Sequence, residues 1–222
     1  NFIIDIMILF KLFYLFFSYK PDYVFTFTIK PNIYSSIISR FFKAKVVCNI
    51  SGLGSSFLVK SFKRKLTFFL YKKFLNNSHY VFFQNLYDQR FFLKLKIINK
   101  EKTDILPGSG INFNDIEYSK IVKNNTFIFI ARLIEDKGII EFLKAAQKIK
   151  KKFPDVIFKV IGEIDYENPS KINKNYLDYQ RKLNYFQYNS FTDKIIDEIK
   201  NSSCVVLPSY REGKSRVLLE AM

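Results

Sequence analysis

The chain has 222 residues, long for one domain and short for two complete ones, and 48% are hydrophobic, which excludes a disordered chain and supplies a sizeable core. The formal net charge of +16 is uneven: residues 1–124 carry +12 and the rest +4, which matches the first half to an anionic surface, phospholipid or nucleic acid, unless lysine only fills its solvated face. The two cysteines, Cys48 and Cys204, lie in separate apolar runs; they exclude a disulfide framework or a cysteine metal cluster and fit a reducing compartment.

The first apolar run, residues 1–17, is broken by Asp5 and Lys11 on about one helical face. A spanning helix needs about 20 apolar residues, and central charges are costly, so a helix packed on a sheet is expected. No small-residue cleavage site follows, which argues against a signal peptide. Lys20-Pro-Asp22 is a turn, Tyr23–Phe27 a strand, Lys30-Pro-Asn32 a break and Ile33–Phe42 a helix. Lys45–Ile50 is a strand and Ser51-Gly-Leu-Gly-Ser-Ser56 a loop. Phe57–Leu75 is a long helix carrying Lys60, Lys63, Arg64, Lys65, Lys72 and Lys73. Tyr80–Phe83 is a strand led by His79, the one histidine, for which a strand-edge role is expected. Tyr87–Lys96 is a helix and Lys102–Leu106 a strand. Pro107-Gly-Ser-Gly-Ile111 is a hinge.

A second series follows. Thr126–Ile130 is a strand, Lys137–Lys152 a helix, Val156–Ile161 a strand and Gly162–Ser170 a loop. Lys171–Arg181 and Asp193–Lys200 are helices. Cys204–Pro208 reads as a buried strand, Glu212-Gly213 as a turn, and Ser215–Met222 as a helix. Alternating apolar strands and helices predict parallel sheets with helices on both faces. The restart after the hinge divides the chain into residues 1–111 and 112–222. Starting at Asn1 and stopping inside a helix, the chain reads as a fragment, both domains incomplete.

In open parallel sheets, ligands sit at the carboxyl ends of strands. The loops to watch are therefore 51–56, 131–138, 162–170 and 208–214. In Ala131-Arg-Leu-Ile-Glu-Asp-Lys-Gly138, both Arg132 and Lys137 can reach an anion above a helix N-terminus; Arg offers a planar fork and Lys a point charge. Glu212 and Glu220 stand eight positions apart, about 12 Å of helical rise, and suit two ends of one extended ligand. Two cations, two carboxylates and a helix dipole match a nucleoside diphosphate attached to a polyol.

These stretches, with Phe153-Pro-Asp-Val156, Gly162 followed by Asn168-Pro-Ser170, and Val206-Leu-Pro-Ser-Tyr-Arg-Glu-Gly213 through Leu219-Glu-Ala-Met222, resemble the donor domain of family-4 glycosyltransferases. In the first half, Lys20-Pro-Asp22, Thr28–Tyr34, Ser51-Gly-Leu-Gly54 and the hinge are similar to the acceptor domain of that family's bacterial capsule, O-antigen and protein-glycan enzymes. Ser215 stands where many relatives carry Pro.

The resemblance implies an α/β GT-B fold, two Rossmann-like parallel-sheet domains facing a cleft, with the acceptor side in 1–111 and the donor side in 112–222. It implies retaining, metal-independent transfer of a hexose or N-acetylhexosamine from a nucleotide sugar, UDP-linked, to a polyprenyl-diphosphate-linked glycan, with no further cofactor. Arg132 and Lys137 would hold the diphosphate, Glu212 the sugar hydroxyls and Glu220 the ribose. Gly162, Gly213 and the backbone of Ser215, Arg216 and Val217 would flank or support the donor. Gly52 and Gly54, with Lys60, Lys63, Arg64 and Lys65, would form the acceptor and membrane side, on the inner face of the cytoplasmic membrane. Two other readings remain open: a basic membrane- or nucleic-acid-binding module, the latter without an RNA-binding motif, and a nucleotide-sugar epimerase or phosphorylase on the same fold.

Overall fold

The computed structural model describes residues 2–53, 62–108, 110–112 and 124–222. The chain divides into two compact units, residues 1–109 and 110–222.

In the first unit, α1 (Phe2–Tyr19), β1 (Tyr23–Phe27), α2 (Ile29–Ile38), β2 (Lys45–Ile50), α3 (Phe62–Phe74), β3 (Tyr80–Phe83), α4 (Leu86–Lys94) and β4 (Thr103–Ile105) alternate. The strands form one parallel sheet in the order β1-β2-β3-β4. Its core is built on one face: Val46, Cys48, Ile50, Val81 and Phe83 meet Phe16 of α1, Ile33 of α2, Tyr71 of α3 and Phe92 of α4. Residues of opposite parity on β1, Tyr23, Phe25 and Phe27, are exposed.

Helix α2 begins earlier than the sequence predicts. Pro31 lies in its first turn, where a missing N–H costs nothing, so the residue that reads as a break helps start the helix. Asp5 of α1 pairs with Lys30 at 2.7 Å, and that ammonium holds the Asp5 carboxyl below its usual range. The predicted first helix does pack on the sheet, through Leu9, Leu12 and Phe16, with much of its apolar surface exposed.

The second unit holds β5 (Thr126–Ile130), α5 (Ile139–Lys152), β6 (Ile157–Ile161), α6 (Lys174–Lys182), β7 (Gln187–Asn189), α7 (Ile195–Lys200), β8 (Cys204–Val205) and α8 (Arg216–Ala221). Its parallel strands take the order β7-β6-β5-β8. Ile139, Phe142, Leu143 and Ala146 of α5 recur at helical spacing and are buried against Phe129, Phe158 and Val160 of the sheet. On the other face, Lys159 of β6 pairs with Glu198 of α7 at 3.0 Å, so this sheet has helices on both sides.

Two readings are corrected. Residues 187–189 form a strand that the sequence hides, because Gln-Tyr-Asn at a sheet edge has no apolar alternation. The run beginning at Cys204 is not fully buried: β8 is the other edge strand, and Cys204 is exposed. Cys48, on a central strand, is buried, and burial raises its thiol pKa.

Candidate active site

The order β7-β6-β5-β8 reverses direction at β5. The chain leaves β5 toward β6 on one side and later returns to place β8 on the other. In open parallel sheets, ligand sites lie beyond the carboxyl ends of the strands at such a switch point. Here those loops are 131–138 after β5 and 206–215 after β8; they carry Arg132, Lys137 and Glu212, and α8, which follows the second loop, carries Glu220.

Two glycines bring the backbones together. Gly138 ends the turn Glu135–Lys137 in the left-handed conformation, φ 77°, and caps α5, which therefore starts two residues later than the sequence predicts. A Cβ there would lie 2.1 Å from the Pro208 carbonyl oxygen. Gly162, φ 153°, follows β6, and a Cβ on it would lie 1.8 Å from the Ala131 carbonyl oxygen. Gly162 is expected beside a nucleotide; its first role in the fold is to let the loops after β5 and β6 touch.

Lys137 Nζ lies 2.5 Å from Glu212 Oε1, and the Ser209 hydroxyl donates to the same oxygen at 2.8 Å. Both charged side chains are about three-quarters buried, at 22% and 26% exposure. Arg132 Nη1 pairs with Asp165 Oδ2 of the loop after β6 at 2.6 Å and is itself exposed. Arg216 Nε pairs with Glu220 Oε1 at 2.7 Å, one turn along α8. Each of the four charged residues singled out in the sequence thus has an ionic partner within the protein.

The loop after β8 is tied down further. Tyr210 N–H donates to the Asp136 carbonyl at 3.0 Å, and its phenol donates to Glu141 at 2.7 Å. That carboxylate raises the Tyr210 pKa. Gly213 follows Glu212 in the turn, half-buried, and Ser215 is the N-cap of α8 with no side-chain cap bond.

Beside these loops an open pocket of about 610 Å³ is lined by Ile130 at the end of β5, Asp193, Asp197, Arg216, Val217 and Glu220. The structure therefore divides the predicted donor set. Arg216, Val217 and Glu220 line the pocket with the 193–197 segment, whereas Lys137 and Glu212 pair with each other. Among the described residues, no group of three or more His, Cys, Asp and Glu is arranged to hold a metal ion.

Sequence reasoning missed Asp165, Ser209 and the pocket carboxylate Asp197. Ser209 had a local signal, a hydroxyl three residues before Glu212 in a turn. Asp165 had none beyond its place in a loop already marked.

In the first unit, Gly52 follows β2 with φ 149°. Gly54 and Lys60 lie outside the described residues, as does the 57–61 part of the predicted helix. Lys63 belongs to α3. Arg64 lies over the Phe68 ring, 5.6 Å from its centroid, and Lys65 is exposed. Exposed with Lys65 on α3 are Phe62, Leu66, Phe69, Lys72 and Lys73. His79 is at a strand edge, with its backbone N–H on the Val46 carbonyl and its ring edge-on to Tyr23.

Residues 112–222, half of the chain, match the family of glycosyl transferases group 1. The chain belongs to this family. It is 29% identical over 190 residues to the N,N'-diacetylbacillosaminyl-diphospho-undecaprenol alpha-1,3-N-acetylgalactosaminyltransferase of Campylobacter jejuni, covering 78% of this chain and 48% of that protein. It is 31% identical over 106 residues to the capsular polysaccharide biosynthesis glycosyltransferase CapM of Staphylococcus aureus, covering 47% of this chain and 27% of that one. The chain thus spans less than half the length of these two relatives. The crystal structure of Anabaena HepE in complex with UDP and glucose matches 96% of this chain and 59% of that one, at a TM-score of 0.74 and 17% identity. This group 1 chain therefore has an α/β fold of two parallel-sheet, Rossmann-like units, and its structural neighbours are GT-B glycosyltransferases.

Proposed function

We propose that the protein is a retaining, metal-independent glycosyltransferase. It moves a hexose or N-acetylhexosamine from a UDP-sugar to a polyprenyl-diphosphate-linked glycan in surface polysaccharide or glycoprotein glycan assembly. The observation that carries this reading is the pairing of Lys137 with Glu212 at the switch point of the second sheet, beside a pocket edged by Glu220. The Campylobacter relative, named for an undecaprenol-diphospho acceptor, and HepE, crystallised with UDP and glucose, support the substrate classes.

In this reading the nucleoside enters the pocket, where Glu220 accepts hydrogen bonds from the ribose and Val217 packs beside it. The diphosphate takes Lys137 from Glu212 and Arg132 from Asp165. Glu212, released from the ammonium, accepts hydrogen bonds from the sugar hydroxyls. The acceptor hydroxyl oxygen attacks the anomeric carbon on the face the diphosphate leaves. The bond from that carbon to the phosphate oxygen breaks, and the hydroxyl proton passes to the departing phosphate. Arg132, Lys137 and the backbone N–H groups of Ser215–Val217 stabilise the charge that develops on the leaving group. No further cofactor enters, and nucleic acid is not a partner.

In this reading a lipid-linked acceptor keeps the reaction at the cytoplasmic membrane, and a nucleotide-sugar donor drawn from the cytoplasm puts it on the inner face. No helix among the described residues is long and apolar enough to cross a membrane. Helix α3 presents Phe62, Leu66 and Phe69 among Lys65, Lys72 and Lys73 on its exposed side, the pattern of a helix lying on anionic lipid. Calorimetry of the intact protein with UDP-sugars tests the donor assignment. Binding that Lys137→Ala and Glu220→Ala both weaken is expected; absence of binding, or binding indifferent to both, contradicts it.

A further inference from the structure

Asp136, Lys137 and Gly138 are consecutive, and each meets the loop after β8. The Asp136 carbonyl accepts the Tyr210 N–H at 3.0 Å. Lys137 reaches Glu212. Gly138 leaves to Pro208 the space a Cβ would fill. Asp136 also faces the loop after β6. Its Oδ1 accepts the Ser170 hydroxyl at 2.6 Å, and its own N–H donates to that hydroxyl oxygen at 3.3 Å. Next to it, the Glu135 N–H donates to the Ser170 carbonyl at 2.7 Å. Ser170 is itself fixed by its N–H, which donates to Asn168 Oδ1 at 2.9 Å.

One residue is therefore hydrogen-bonded to both neighbouring strand-end loops. Its second carboxylate oxygen, Oδ2, is buried with no hydrogen-bond partner among the described residues. Burying a carboxylate oxygen without a donor is unfavourable, so local stability does not explain this side chain. Its geometric consequence does. Lys137 has a long, flexible side chain, and its ammonium stays at one place only if the backbone beneath it is fixed relative to the loop that carries Glu212.

We propose that Asp136 is a positioning residue. Through Ser170 on one side and Tyr210 on the other, it locks the loops after β5, β6 and β8 in one arrangement and so sets the Lys137 ammonium at the Glu212 carboxylate. This rests on the reading of Lys137 and Glu212 as donor-site residues. Asp136 touches no substrate; it acts through the residue that follows it.

Ser170 is the handle for a test, because its hydrogen bonds to Asp136 lie on the opposite side of that residue from Tyr210. Hydrogen exchange read by mass spectrometry on the intact protein would compare Ser170→Ala, Asp136→Ala, Asp136→Asn and the Ser170/Asp136 double alanine variant. Ser170→Ala is expected to speed exchange in residues 208–214 several-fold. Asp136→Ala should do the same, the double variant should add nothing, and Asp136→Asn, which keeps an acceptor for Ser170, should stay near wild type. A change confined to residues 162–170 in Ser170→Ala, or additive effects in the double variant, would overturn the proposal. In turnover of a UDP-sugar, kcat of Ser170→Ala should fall about 10-fold while KM for the donor moves less than about twofold, as for a misplaced group. An unchanged kcat alongside coupled exchange would overturn the link to Lys137. Coupled exchange in a protein whose wild type turns over no nucleotide sugar would uphold the loop coupling and remove the donor-site reading.

Discussion

Lys137 and Glu212, 75 residues apart in the chain, meet at 2.5 Å at the ends of adjacent strands β5 and β8. The ammonium that would hold a diphosphate is held instead by the carboxylate that would hold the sugar. In the proposed reaction donor binding is an exchange of partners: the diphosphate would take the ammonium, and the sugar hydroxyls would donate to the carboxylate, so neither group would be left without a partner in the partly buried site.

That exchange has opposite consequences for the two residues. Lys137→Ala removes charge needed as the diphosphate leaves, and turnover should fall about 10²- to 10³-fold. Glu212→Gln removes the competitor for the ammonium. UDP alone should then bind at least as tightly as to wild type, while sugar transfer slows at least about 10-fold. Calorimetry with UDP beside steady-state kinetics separates the two; weaker UDP binding by Glu212→Gln would contradict the exchange.

Glu220 carries the ribose in this account, and Arg216 occupies it beforehand. Loss of hydrogen bonds to a charged acceptor predicts that Glu220→Ala weakens UDP about 10- to 100-fold. Arg216→Ala leaves that acceptor in place and should weaken UDP far less. A loss in Arg216→Ala equal to or greater than that in Glu220→Ala, measured by calorimetry, would contradict a ribose contact made by Glu220 alone.

Gly138 is expected to tolerate no side chain. Alanine there must adopt a left-handed backbone and displace the Pro208 carbonyl, at a cost of about 1–3 kcal/mol. Thermal unfolding of Gly138→Ala should show a Tm lower by several degrees, with the 206–214 loop the first segment to lose protease protection.

For α3, flotation with phosphatidylglycerol vesicles is the direct assay. Lys65→Glu with Lys72→Glu should weaken binding at least about 10-fold, since each basic residue near an anionic surface contributes about 1 kcal/mol. Phe62→Ser with Phe69→Ser should weaken binding to both anionic and neutral vesicles. Indifference to both pairs would make this face merely solvated.

Much of this was legible because the chemistry sits where periodic segments end. Strand β5 and the amphipathic α5 bracket the loop that carries Lys137, Glu212-Gly213 declared its own turn, and only the left-handed Gly138 that delays α5 went unread. What stayed hidden depended on pairing across the sheet. Nothing local in Asp165 announces Arg132, 33 residues away, and nothing in Ser170 announces Asp136. Strand β7 was unreadable because edge strands need no apolar alternation, and Pro31 misled because a helix's first turn accepts the residue that breaks its interior.

The most direct test is the reaction itself. The intact protein, given UDP-sugars and a polyprenyl-diphosphate-linked glycan, should yield UDP and a glycan extended by one sugar. NMR of that product should show an anomeric configuration unchanged from the donor, and Lys137→Ala should abolish nearly all of it. A product of inverted configuration, or transfer that persists undiminished in Lys137→Ala, would contradict the account.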